Sequence, residues 1–511
     1  MRSITLTCIT AITLFAALAV PAGLPAQEQR QEQKKAHTRY KLVVIGTFGG
    51  PTSLFFPVGA RTLSNRGALV GQADTAIPDP NFANFNPYVG QNPFLQHAFK
   101  WQNGTLTDLG ALPGPNTSQV GWITEGGVAS GVSTRSTIDP LTGWPELAAI
   151  LWKDGQMIDL GTLGGFEAAA SANNRRGQVA GFAANTVPDS FPSPIGLPGF
   201  GTQQRAFLWE KGVMQDLGDL GGPDAAALLI NERGQIDGNS YISSAPNPAT
   251  GVPTVDPFLW ENGKMIDLGG FGGTSGGAQW LNERGQVVGS SNLPGNVTQH
   301  PFLWDRGVLT DLGTLGGSFG FANHANDAGE VVGFATNQGD QAVLGFLWKN
   351  GVMTNLGTLN GDDCSLAFHI NSKGQIVGNS FPCASGPDGP NVHGFLWQNG
   401  FMTDLNAFAP PGSGLTLRLG GIINDRGEIA AFWLLPNGDI HAVLLIPCQE
   451  GDGGCGDAAE GTTTTQSNPA SVTSNVTTST QGPRTPFGIV AAWRARWAQR
   501  YHIPGLGASR D

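Results

Sequence analysis

From about residue 41 the chain alternates short apolar runs with tight polar turns, and the same alternation keeps returning. One copy reads Arg205-Ala-Phe-Leu-Trp-Glu-Lys-Gly-Val-Met-Gln-Asp-Leu-Gly-Asp-Leu-Gly-Gly222. It continues through residues 225–230 into Asn231-Glu-Arg-Gly-Gln-Ile-Asp-Gly238. Apolar runs of this length, bounded by Gly, Asn and Asp, predict strands rather than helices. The Trp of the motif recurs at Trp101, Trp152, Trp209, Trp260, Trp304, Trp348 and Trp397, with a degenerate eighth copy at 441–446. A turn glycine recurs at Gly67, Gly127, Gly177, Gly234, Gly285, Gly329, Gly374 and Gly427, which also makes eight.

Each copy divides into four predicted strands, a to d. Strand a precedes the Asn of an Asn-x-x-Gly turn, where Asn starts the turn and Gly supplies the positive φ that closes it. Strand b follows, as in Gln286-Val-Val-Gly289, and a loop of variable length leads to strand c, as in Pro301-Phe-Leu-Trp304. The tight turn Asp305-Arg-Gly307 leads to strand d, and the corner Gly313-Thr-Leu-Gly-Gly317 passes to the next copy. A four-strand meander repeated in this way predicts an all-β fold, a β-propeller of eight four-stranded antiparallel blades. The repeats open on Leu42-Val-Val-Ile-Gly-Thr-Phe-Gly-Gly50, which matches strand d and its corner, and end on 441–446, which matches strand c. The N-terminal strand is therefore expected to complete the C-terminal blade and leave no open edge. Copy 2 departs most, with Thr124 in place of the turn Asn and a strand a that is hard to place.

Composition agrees with this pattern. Among 511 residues there are 75 Gly and 34 Pro, and only 13% are charged, as expected for short strands and tight turns. A formal net charge of −11 excludes a nucleic-acid partner, since phosphate binding needs a basic patch. Arg2, the apolar run 9–20 and small residues at Ala22 and Ala26 read as a secretory signal over 1–26, followed by a polar linker over 27–40. The run is short for a membrane span, so no transmembrane segment is expected, and the mature chain should lie outside the cytoplasm, secreted or periplasmic. Cys8 leaves with the signal, and four of the five cysteines remain. Cys364 and Cys383 flank one predicted hairpin almost symmetrically and are expected to pair. Cys448 and Cys455 would close a small loop.

The copies containing His97-Ala98-Phe99 and Leu-Trp-x-x-Gly-x-Met-x-Asp-Leu-Gly-x-Leu-Gly-Gly resemble the HAF repeats of probable extracellular bacterial proteins. The resemblance covers 41–447. It implies an extracellular location and repeat architecture, and it brings no catalytic residues with it.

The a–b and c–d turns hold nearly constant length, whereas the b–c loops vary: 73–96, 183–204 and 240–256 are long and 291–299 is short. Variable loops on a rigid scaffold predict a ligand site on the b–c/d–a face near the central channel. Corner residues that would line its mouth are Glu167, Asp224, Ser275, Ser318, Asp362 and Asp363. Converging carboxylates there would bind a cation or act as an acid–base pair, against the plainer reading of a solvated rim. The recurrent Asp108, Asp159, Asp216, Asp267, Asp311 and Asp404 (Asn355 in the remaining copy) read as turn-fixing groups. The motif Trp residues read as filling between blades. Trp122, Trp144, Trp280 and Trp433 break the repeat and are better placed for a special role. His97, His300, His393 and His441 share a slot with Arg205, Asp256, Ala148 and Leu344, which is not a metal constellation.

No nucleophile elbow, His-Glu-x-x-His motif or phosphate loop appears, so no catalytic residue, metal or cofactor is expected. Beyond the propeller a Thr/Ser-rich linker spans 448–485. In the terminal segment 486–511, Ile489, Trp493, Trp497 and Tyr501 mark an amphipathic helix that would associate with a surface or dock on the propeller. The expected function is a secreted binding or scaffold module that recognises an extracellular glycan, peptide or protein partner. The alternative is a glycoside hydrolase or lyase acting through the corner carboxylates.

Overall fold

The computed structural model describes residues 39–448 except 249, 388, 390, 410–415 and 436. The expected signal, Cys455, the Thr/Ser tract and the terminal helix lie outside the described residues. Within them the chain is all-β, with two single-turn 3-10 helices at Gln338–Asp340 and Leu405–Phe408 and no α-helix.

The strands fall into eight four-stranded antiparallel meanders. Blade 1 is Gly49–Leu54, Leu69–Pro78, Phe94–Gln102 and Thr105–Gly110; blade 5 is Gly276–Leu281, Val287–Asn292, Gln299–Asp305 and Val308–Asp311. Blades 5 and 6 share one parallel pair, Gln299 with Phe319, and otherwise each meander is a separate sheet. The eighth blade has three consecutive strands, Thr416–Ile423, Ile429–Leu434 and Ile440–Pro447. Its outer strand comes from the other end of the chain: Tyr40–Val44 runs antiparallel to Ile440–Pro447 with Leu42 opposite Leu445. The edge that each end would expose is thereby removed. The chain is a β-propeller, closed by its own N-terminal strand.

Three local rules repeat around the ring. In the c–d turns a non-glycine residue at positive φ precedes a glycine, as in Asn103-Gly104 (51° and 84°) and Arg306-Gly307 (47° and 86°), the geometry of a two-residue hairpin turn. In strand b a glycine faces strand a so closely that a Cβ at Gly289 would lie 1.9 Å from the Gly277 carbonyl oxygen. Blade 8 has Ala431 at this place, and the glycine has crossed to strand a, where Gly420 pairs with it. The Phe of strand c (Phe99, Phe207, Phe258, Phe302, Phe346 and Phe395) is fully buried, and Trp101, Trp152, Trp304 and Trp397 are buried beside it. The Trp152 indole N–H donates to the Leu109 carbonyl of the preceding blade.

The Asn of the a–b turn carries the longest-range order. Asn282 Oδ1 accepts the amides of Arg284 and Gln286, each at 3.0 Å, which shapes its own turn. Its Nδ2 donates to Gln286 Oε1 at 2.7 Å and to the Asn326 carbonyl of blade 6 at 3.0 Å. The same cross-blade bond links Asn174 to Asn231, Asn231 to Asn282, Asn326 to Asn371 and Asn371 to Asn424, at 2.9 to 3.2 Å. Asn424 then donates to the Ser64 carbonyl of blade 1 at 2.9 Å and carries the chain of bonds past the closure. Copies 1 and 2 have Ser64 and Thr124 in the Asn position. Their hydroxyls serve only their own turns.

The difficult copy 2 has an ordinary strand a, Ser118–Ile123. The b–c loops are shorter than the sequence suggests, because strands b and c run on beyond a register shift to pairs such as Pro78 with Phe94 and Pro188 with Thr202.

Asn282→Ala removes all four bonds of one ring member and strands buried backbone groups, so a loss of about 3 kcal/mol in unfolding free energy is expected from denaturant titration. Thr124→Ala, which interrupts no cross-blade bond, should cost about 1 kcal/mol or less. Equal losses would show that the ring contributes no more than a local turn.

Candidate functional site

Strand a of blades 2 to 8 carries a bulge shortly before its turn, with register shifts at Val120/Trp122, Ala170/Ala172, Ala227/Leu229, Ala278/Trp280, Ala322/His324, Ala367/His369 and Gly420/Ile422. Bulges re-aim the side chains that follow them. Trp122, Trp280, His324, His369 and Ile422, each two residues before the turn, line a cavity of about 610 Å³ at the a–b end of the central channel. The volume is in the range of small-ligand pockets.

Blade 1, which gives Arg61, Leu63 and Asn65 to the cavity wall, departs from this pattern. Its strand a is interrupted at 55–60, and the excursion enters the channel. A Cβ at Gly421 of blade 8 would lie 2.7 Å from the Phe55 ring, and one at Gly59 would lie 2.7 Å from Gln279 Nε2 of blade 5, across the ring. Phe55 stacks on Phe432 at 4.4 Å, and Val58 packs against the cluster that includes Phe319, Phe321 and Leu419. The chain then returns to the ring at Arg61, which bridges Trp122 in parallel.

The aromatic groups touch one another. Trp122 and Trp280 ring centroids are 5.9 Å apart, Trp280 and His324 4.0 Å, and His324 and His369 3.6 Å. His324 is buried with neither ring nitrogen hydrogen-bonded. Burial, then the neighbouring His369 and Arg61, holds its pKa far below the ordinary imidazole value. Burial and Arg61 likewise push His369 down to about 3. Both imidazoles are therefore neutral at physiological pH.

The rim is charged, and its charges have mechanical work. Arg61 pairs with Glu125, and Arg175 Nε lies 3.1 Å from Glu232 Oε1. Carboxylates at the residue after the Asn position accept an amide of the blade before. Glu125 takes Asn65 N–H, Glu232 takes Arg175, Glu283 takes Glu232, Asp327 takes Glu283 and Asp425 takes Ser372, at 2.9 to 3.1 Å. Asn65 fills this role in blade 1, accepting the Asp425 amide at 2.8 Å. Burial raises the Glu283 pKa, assisted by the charges of Glu232 and Asp327.

None of the corner residues expected to form the site lines this cavity. Glu167 Oε2 accepts the Leu147 amide of the preceding blade at 2.7 Å and Asn86 Nδ2 at 3.2 Å. Asp224 Oδ1 accepts the Gln204 amide at 2.6 Å. Ser275 bridges Val255 in parallel. Ser318 bonds Asp340 through both its amide and its hydroxyl. Asp362 is paired with His393 at 3.1 Å, and Asp363 accepts the Cys383 amide. Three of them (Glu167, Asp224 and Ser275) tie strand c of one blade to the following corner, and the other three join a corner to strand c or the b–c loop of its own blade. Asp363, Cys364 and Cys383 do come together, but the two sulfurs are joined in a disulfide, which leaves no thiolate for a metal.

The long b–c loops also fold onto one another instead of standing open. Tyr88 from the first donates to the Pro198 carbonyl of the third at 2.9 Å and stacks on Phe200 at 4.8 Å. The Tyr241 hydroxyl donates to Pro192, and Ile195, Leu197 and Phe200 are buried beneath.

The recurrent Asp residues act as turn locks: Asp108, Asp159, Asp216, Asp267 and Asp311 each accept the amide two residues on, at 2.7 to 3.0 Å. His97 and His300 pair with Asp108 and Asp311 across strands c and d, and Arg205 with Asp216. Two of the four irregular tryptophans, Trp122 and Trp280, lie at the cavity. Trp433 is buried in blade 8 and Trp144 is half-buried. His324, His369 and Arg61 are missed by motif reasoning. The available signal for the histidines was positional: His324 and His369 stand two residues before the turn Asn, the same place that Trp122 and Trp280 hold in their copies. For the plug, the signal was the stretch from Gly50 to Gly67, five residues longer than Gly222 to Gly234.

No protein-family model matches the chain, and no curated protein matches it. Solved structures do. The β-propeller domain of the trilobed protease from Pyrococcus furiosus aligns at 10% identity over 70% of this chain and 99% of that one, with a TM-score of 0.39. Acylaminoacyl peptidase from Pyrococcus horikoshii aligns at 12% identity over 69% and 52%, TM-score 0.37. TolB from Acinetobacter baumannii aligns at 10% identity over 65% and 79%, TM-score 0.30.

Glu167 and Asp224 offer a test of the corner assignment. Burial, then the charges of Asp139 and Asp189 respectively, pushes each pKa up to about 8. A raised carboxyl pKa stabilises the folded state fully below its ordinary value, near pH 4. That stability is lost as pH rises through about 8. The melting temperature should therefore fall between about pH 5 and pH 9, and Glu167→Gln should flatten the slope. A wild-type slope in the variant would remove Glu167 from this role.

Proposed function

We propose that this chain is a secreted binding module of the HAF-repeat kind, and that it holds its ligand in the cavity at the a–b end of the channel. The observation that carries this reading is the cavity itself: a rigid ring supplies aromatic walls from Trp122 and Trp280, neutral imidazoles from His324 and His369, and a charged rim. Buried polar groups are normally satisfied, and the unpartnered His324 is placed to bond something that enters. An extracellular glycan or peptide fits such a mixed surface of stacking faces and hydrogen-bonding groups. The position differs from the b–c loop face expected from loop variability, because those loops are occupied in packing against each other.

Export accords with the apolar segment after Arg2 and with the Cys364–Cys383 disulfide, a bond that persists in oxidising compartments. A glycoside hydrolase or lyase acting through the corner carboxylates has less support. Glu167 and Asp224 are buried and engaged with backbone amides, and no corner acid reaches the cavity.

A thermal-shift panel of oligosaccharides, peptidoglycan fragments and short peptides tests the reading. A ligand at about 100 times its dissociation constant should add roughly 2.7 kcal/mol of stability, and Trp280→Ala should abolish that shift. A shift that survives Trp280→Ala would place the site elsewhere on the ring.

A further inference from the structure

The cavity rim has an unbalanced side. Five carboxylates (Glu125, Glu232, Glu283, Asp327 and Asp425) face it against two guanidiniums, Arg61 and Arg175, for a net charge of −3 with neutral histidines. The imbalance is local. Arg61 is paired with Glu125, and Arg175 with Glu232. Asp425 uses both oxygens, accepting the Ser372 amide at 2.9 Å and Asn65 Nδ2 at 2.9 Å. Glu283 and Asp327 each use one oxygen on a neighbouring amide. Glu283 Oε1 and Asp327 Oδ2 make no hydrogen bond or ion pair among the described residues. They sit on adjacent blades, within the a–b turns that follow Trp280 and His324. Burial, then the charges of Glu232 and Asp327, raise the Glu283 pKa, and the more distant Arg61 offsets only part of this.

We propose that the cavity selects an organic cation, with Glu283 and Asp327 receiving an ammonium or guanidinium group beside His324 and Trp280. The inference rests on the cavity being the binding site and goes beyond it by naming the ligand's charge and the residues that read it. A neutral imidazole offers one nitrogen lone pair, and the unpartnered ring of His324 would accept an N–H that the carboxylates leave free. Trp280 and Trp122 would cover the aliphatic stem that carries the charge. The cation is drawn in by the field of a chain whose formal charge is −11. A basic side chain of a peptide and a free polyamine share this chemistry, and the cavity volume of about 610 Å³ admits either.

Isothermal titration of the full chain at low ionic strength, with Lys-Lys and Arg-Arg dipeptides, spermidine, a Glu-Glu dipeptide and diacetylchitobiose as probes, tests this. The cationic probes should bind, and Glu283→Gln with Asp327→Asn should weaken them at least tenfold. Raising the salt should weaken them in the wild type far more than in the variant. The amide replacements keep an oxygen for the Glu232 and Glu283 backbone amides, so the ring should still close; Glu283→Gln alone serves if the double variant melts early. Dipeptides binding above spermidine would assign a peptide source, and the reverse order a polyamine. Absence of binding by every cation, or unchanged binding by a folded variant, overturns the proposal. Binding of diacetylchitobiose or Glu-Glu that Trp280→Ala abolishes would keep the cavity as the site while refuting the cation. Silence from all probes would count against both readings.

Discussion

The asparagine at six of the eight a–b turns is the interaction on which the ring depends. A propeller blade has no covalent reason to sit at a fixed angle to the next one; apolar packing between sheets is broad and tolerates sliding. Asparagine supplies direction because it has two acceptor and two donor capacities in one short side chain. Asn282 uses the acceptors to shape its own turn and one donor to reach the carbonyl of the next, so turn geometry and blade spacing are set by the same group. Aspartate would lack the donors, and serine has a single hydrogen. Where copies 1 and 2 substitute Ser64 and Thr124, the ladder stops, and the Arg61–Trp122 bridge with the Arg61–Glu125 pair takes over.

That substitution is also where the site begins. A perfectly regular ring would present eight equal positions to its axis and no preferred place for a ligand. The cavity gains its character from departures: an excursion over 55–60 in blade 1 that enters the channel, tryptophans in blades 2 and 5, and histidines in blades 6 and 7. The carboxylate ring shows the same logic at the rim. Glu125 meets both the Asn65 amide and Arg61 with one oxygen and Asp425 uses both of its own, whereas Glu283 and Asp327 each spend one oxygen on an amide and have no paired cation.

Much of the fold was legible in the chain because repetition makes weak local signals strong. The Trp and Gly series give the blade number, and the placement of a strand d motif before the first full copy gives the closure between Tyr40–Val44 and Ile440–Pro447. The site was less legible for a physical reason. Loop length is visible in a sequence, but whether a loop stands open or packs is decided by contacts such as Tyr88 with Phe200, between residues more than a hundred positions apart. The corner acids misled in the same way, since Glu167 looks like a rim carboxylate until Leu147 and Asn86 are brought against it.

Variation within a repeat therefore carries two meanings that length alone does not separate. In the b–c loops it reflects freedom, because any loop that covers its neighbour's apolar surface is tolerated. Two residues before the turn asparagine it occurs where every neighbour is constrained: a buried strand, a bulge, and a turn tied to the next blade. Large aromatic or imidazole side chains there are difficult to accommodate by chance, because each must fit against the others across the channel, as Trp122 does against Trp280 and His324 against His369. A group such as His324, buried without a partner, adds a standing cost to the folded state.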